Sequence, residues 1–72
     1  MKTEKWYQRR LAAYFTEHYA QYEDSVEFWN DPTMNQWLFD IPELNERITL
    51  TCYDDGRVTS SVFHIKTKGE YV

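Results

Sequence analysis

The sequence predicts an α+β fold, with one N-terminal amphipathic helix packed on a three- to four-stranded antiparallel meander sheet. Three observations predict it. Apolar and aromatic residues recur at helical spacing over about residues 4–23. Alternating, β-branched runs punctuated by turn residues fill the second half of the chain. No second long helical pattern follows to provide the crossover that parallel strands need. Helix and sheet would each have one apolar side to hide, so each is expected to cover the other.

The helix is read from Tyr7, Leu11, Tyr14, Phe15, His18 and Tyr22, which fall within an arc of about 100°, the width of a core-facing stripe. His18 sits at the centre of that stripe, which suggests a core or boundary histidine. Thr3 is the candidate N-cap and Glu4 places negative charge in the first turn. Trp6 falls on the opposite side, near Glu17 and Asp24, where exposure is expected. The helix is expected to break near Asp24, because Asp24-Ser25 is poor helix material. Continuation to Asn30 would give a rod about 40 Å long, too long for so small a domain to cover.

The strands follow in order. Residues 25–29 fit a short strand, and Asn30-Asp31-Pro32-Thr33 reads as a turn. Residues 36–41 place Trp37, Phe39 and Ile41 on one face, and Pro42-Glu43-Leu44-Asn45 makes a second turn. The strongest β signal is 47–53, Arg-Ile-Thr-Leu-Thr-Cys-Tyr. Gly56 then supplies the positive-φ position of an Asp54-Asp55-Gly56 hairpin loop. The return strand is expected over 57–66, with Phe63 and Ile65 in the core, and the tail 67–72 is expected to fray.

At 72 residues the chain reads as one domain, 1–72. A chain this short buries only about 60–65% of its unfolded surface. It compensates with large side chains: 13 of its residues are Phe, Trp or Tyr. Self-association would relieve the same shortage of core, which makes a homodimer a secondary expectation. The single cysteine, Cys52, cannot form an internal disulfide and suits a reducing compartment. Lys2 and Lys5 are not followed by the apolar run of a signal peptide. The mean hydropathy is −0.78, and no apolar stretch approaches the length of a membrane span. A cytoplasmic protein is therefore expected.

Charge is distributed unevenly. Between Arg10 and Arg47 there is no Lys or Arg, yet that stretch holds eight acids. They are Glu17, Glu23, Asp24, Glu27, Asp31, Asp40, Glu43 and Glu46. The formal charge is −8 there, against +3 for residues 1–10 and +1 for residues 47–72, giving −4 overall.

No arrangement of residues selects a reaction. A Cys52–His64 dyad would let an imidazole activate a thiol, but a three-residue hairpin loop sets Cys52 opposite Val58 and His64 opposite Glu46. That separates them by roughly 20 Å at 3.3 Å per residue. One Cys and two His offer no tetrahedral zinc set, and Asp54-Asp55-Gly56 lacks the alternating ligands of a calcium loop. Two glycines, Gly56 and Gly69, make no phosphate-binding loop. Neither an enzyme nor a cofactor is expected.

Three functions remain. The first is a small acidic binding protein, a regulator or inhibitor, that docks on a basic protein partner and acts as a nucleic-acid mimic where the partner's groove normally holds nucleic acid. Its candidate contacts are Glu23, Asp24, Glu27, Trp29, Asp31, Asp40, Glu43 and Glu46, since complementary charge speeds encounter and large rings anchor interfaces. The second is nucleic-acid binding by the C-terminal hairpin, with Arg47, Arg57, Lys66 and Lys68 beside Tyr53, Phe63 and Tyr71. The third is a homo-oligomeric module joined through an edge strand and Trp6 or Trp37.

Overall fold

Thr3 opens the helix. Its Oγ1 accepts a hydrogen bond from the Trp6 N–H at 3.2 Å, satisfying one of the amide donors that a helix start leaves without a partner. The computed structural model describes residues 2–28 and 33–64. Over them, α1 (Glu4–Tyr19) packs against a four-stranded antiparallel sheet in the order β1-β2-β3-β4. The strands are β1 (Glu27–Phe28), β2 (Gln36–Ile41), β3 (Glu46–Cys52) and β4 (Val58–His64). This is the helix-on-meander architecture read from the sequence.

Element ends differ from expectation for identifiable reasons. The last helical turn tightens into a 3₁₀ segment, Ala20–Tyr22, a common way for an α-helix to close. Tyr22 O then accepts from the Ser25 and Val26 amides at 2.9 and 3.0 Å. Those two residues are therefore used by the turn, and the strand expected over 25–29 reduces to Glu27–Phe28. Trp29, the turn through Asp31-Pro32, and the stretch from Ile65 to Val72 lie outside the described residues. After β2, a second 3₁₀ segment (Pro42–Leu44) ends on Asn45 at φ 53°. Asn adopts this left-handed conformation more readily than most residues.

The core follows the two periodicities. Leu11 of α1 and Phe39, Ile41, Ile48, Leu50 and Cys52 of the sheet have no exposed surface, and Tyr7 retains 4%. Alternation puts Phe39 and Ile41, then Ile48, Leu50 and Cys52, on the face toward the helix. The opposite face carries Asp40, Arg47, Thr49 and Ser61. Phe63 also falls there. It pairs with Arg47 and is 54% exposed, which corrects its expected place in the core. Strand parity, rather than hydrophobicity, decides its side. Val62 is on the helix side of β4 but is also exposed, at 47%, because β4 is an edge strand.

Two other helix expectations are corrected. His18 is exposed and lies on Tyr14 with ring centroids 4.2 Å apart. Trp6 is half-buried against the core, with Lys2 and Arg10 over its ring at 5.3 and 5.1 Å.

The start of α1 is clamped to the β3–β4 hairpin. The Tyr7 hydroxyl donates to Asp54 Oδ1, and Arg10 Nε donates to Gly56 O at 2.9 Å. Gly56 has φ 92°, and a Cβ there would come within 2.7 Å of Arg10. Gly56→Ala is therefore expected to destabilise the fold by about 1–3 kcal/mol, chiefly through the backbone conformation. Urea unfolding midpoints measure it, and an unchanged midpoint would contradict the geometry.

The Tyr7 contact also predicts a pH response. Its hydrogen bond to the Asp54 carboxylate, with burial adding to it, raises the Tyr7 phenol above its usual pKa. A raised folded-state pKa means that the contribution is present below the unfolded value and is lost as pH rises through the folded one. Stability is expected to decline above about pH 10, and Tyr7→Phe should flatten that decline. An equally steep decline in Tyr7→Phe would remove this contact as its cause.

Candidate functional site

The register gathers most of the acids at one end of the sheet. Antiparallel pairing sets Glu27 opposite Asp40, Asp40 opposite Arg47, and Ile41 opposite Glu46. The turn at Glu23–Ser25 is held to the same end, because Ser25 Oγ donates to the Glu43 carboxylate, whose oxygens lie 2.7 and 2.8 Å away. Glu23, Asp24, Glu27, Asp40, Glu43 and Glu46, far apart in sequence, thus share one end of the molecule. The other end holds the start of α1 and the hairpin tip, where Lys2, Lys5, Arg9, Arg10 and Arg57 outnumber Glu4, Asp54 and Asp55. A block of charge in the sequence becomes a separation of charge along the fold.

The acids are not equivalent. Asp40 is half-buried and paired with Arg47 through two bonds, Nε to Oδ1 at 2.8 Å and Nη2 to Oδ2 at 3.0 Å. That pairing raises the Arg47 pKa further above its usual value. Asp40 is therefore largely neutralised. Glu23, Asp24, Glu27 and Glu43 are exposed, and Glu46 is half-buried. Among the described residues, Asp40–Arg47 is the only ion pair. Trp29 and Asp31 lie outside the described residues.

Beside this end, between α1 and the β1–β2 edge, lies a cleft of about 260 Å³. Ala12, Phe15 and Thr16 form one wall, Val26, Phe28 and Trp37 the other, and Glu23 stands at its rim. Phe28 stays 46% exposed. Its ring meets Trp37 at 5.7 Å and 82°, and Phe15 meets Trp37 at 6.1 Å. Trp37 is held by Gln8, whose Oε1 accepts from the indole N–H at 2.7 Å. The Gln8 amide nitrogen in turn donates to the Thr33 and Met34 carbonyls at 2.8 and 3.0 Å.

Sequence reasoning put Trp37 on the strand face with Phe39 and Ile41 and, as a site residue, named it only as an oligomer contact; it missed Gln8 and Phe28. The signal for Phe28 was its position beside the acids in an edge strand. Gln8 gave no signal, because its role depends on contacts distant in sequence.

Of the alternative constellations, the described residues stand apart along the β3–β4 ladder. Arg57 lies over Tyr53 at 4.7 Å near the hairpin tip, while Arg47 lies at the far end of the ladder opposite Phe63. Lys66 and Lys68 lie outside the described residues. Cys52 faces Val58 and His64 faces Glu46, six ladder positions apart, the register read from the sequence. Burial raises the Cys52 thiol pKa above its usual value, which disfavours the reactive thiolate. Among the described residues, no three His, Cys, Asp or Glu side chains are placed to hold a metal. No described helix is long and apolar enough to cross a membrane. Comparison with protein families, curated proteins and solved structures returns no match.

Proposed function

We propose that this is a small, non-enzymatic binding protein that docks its acidic, aromatic end on a basic protein partner as a regulator or inhibitor. One observation carries the reading. Glu23, Asp24, Glu27, Glu43 and Glu46 share one end, and none of them is ion-paired to another described residue. Such a surface attracts positive charge from a distance and sets the docking register. Exposed Phe28 beside half-buried Trp37 adds the amphipathic ring area typical of interface anchors. Where the partner's basic groove normally holds nucleic acid, the protein would exclude it by occupying the same surface.

The test is capture of partners by the tagged protein from its native lysate, with and without nuclease and over a salt series. The expected result is a basic protein retained despite nuclease and released as salt rises. Retention that depends on nucleic acid, or that ignores salt, would overturn the reading.

A further inference from the structure

We infer that the cleft between α1 and the β1–β2 edge receives an arginine side chain of the basic partner. The inference rests on the acidic-end reading and assigns its anchoring pocket.

The cleft combines two chemistries that rarely suit one side chain. Phe15, Val26, Phe28 and Trp37 make its walls apolar and aromatic, and Glu23 makes its rim negative. Phe28 and Trp37, at 82° to each other, form a corner with ring surface on both sides. An aliphatic side chain would fit the walls and leave the Glu23 carboxylate unanswered. A lysine would meet the carboxylate, but its compact ammonium is strongly hydrated. Arginine satisfies both features: its stem lies along apolar surface, its planar guanidinium stacks on rings, and its fork matches a carboxylate.

The chain already uses this contact on itself, with Arg10 over Trp6 at 5.1 Å and Arg57 over Tyr53 at 4.7 Å. Both pairs stand near the basic end. Among the described residues no Lys or Arg stands over Phe15, Phe28 or Trp37, so no described cation competes for the cleft's rings. Asp24, next to Glu23 and exposed, adds to the negative field on this side and favours a positive occupant over a neutral one.

Three blocked pentapeptides test the inference by NMR titration of the whole chain at low salt. Each is Lys-Lys-X-Lys-Lys, with X as arginine, lysine or norleucine. Arginine is expected to bind at least about tenfold tighter than lysine or norleucine, close to 1.4 kcal/mol. It alone should shift the Trp37 indole N–H and the Phe28 amide. Thr16→Trp, and independently Ala12→Phe, fill the cleft from exposed helix positions and should bring the arginine peptide to the lysine level; amide spectra verify that each variant folds. Equal binding of all three peptides, or tighter binding of norleucine, overturns the arginine site while leaving the acidic-end reading intact. Absence of binding by any peptide overturns that reading and the site together.

Discussion

Phe39→Ala is expected to cost about 3–5 kcal/mol, the usual range for deleting a fully buried phenylalanine. Phe39 has no exposed surface and sits where four elements meet. Its ring contacts Phe15 at 5.3 Å, Tyr19 at 5.7 Å and Phe28 at 5.6 Å, and its backbone position pairs with Ile48. Helix and sheet both lean on it, so neither can collapse into the void without losing the other. A domain of this size has about 4–11 kcal/mol of stability in total. The variant should melt about 15–30 °C lower or fail to fold. A loss below about 5 °C would mean that Phe39 is not the keystone of the core.

The second large effect concerns binding. The triple variant Glu23→Lys, Asp24→Lys, Glu27→Lys is expected to weaken capture of the basic partner by about 100-fold or more at low salt, roughly 2.7 kcal/mol. All three residues are exposed, and Glu27 lies in a two-residue edge strand, so unfolding midpoints should stay near the wild type. The reversal acts twice, removing attraction and adding repulsion to a partner of like charge. Asp40 is left out deliberately, because its change would break the two bonds to Arg47 and confuse folding with binding. Unimpaired capture by a folded triple variant would detach the acidic end from function.

The sequence disclosed the fold because its signals were local and agreed with one another. The stripe from Tyr7 to Tyr22, the alternation through Ile48, Leu50 and Cys52, and Gly56 each required a particular backbone state. Chain order supplied the rest, since each strand pairs with its neighbour in sequence. The corrections arose where the outcome depended on which elements cover which. Phe63 is as hydrophobic as Phe39, but it occupies the opposite parity on an edge strand and faces solvent. His18 lies on the apolar stripe, yet it is exposed in the folded chain.

The candidate site was legible in the same partial way. The acids were conspicuous as a run without Lys or Arg, and the meander register then brought Glu27, Asp40 and Glu46 to one end. The neutralisation of Asp40 depends on the cross-strand partner of one residue. The cleft depends on how far Phe28 stands from Thr16 across a helix–sheet seam. Neither fact has a local signature.

The clamp between the first turns of α1 and the β3–β4 hairpin has a consequence for how the chain comes into being. The helix is made before Asp54 and Gly56, to which Tyr7 and Arg10 attach. At a synthesis rate of about 5–20 residues per second, roughly 2–8 s separate completion of Tyr19 from completion of Val58. For most of that interval Tyr7 and Arg10 lack the hairpin partners that fasten the start of the helix. β2 and β3 can seat the rings earlier, but the nascent helix stays unfastened at its start until the hairpin closes.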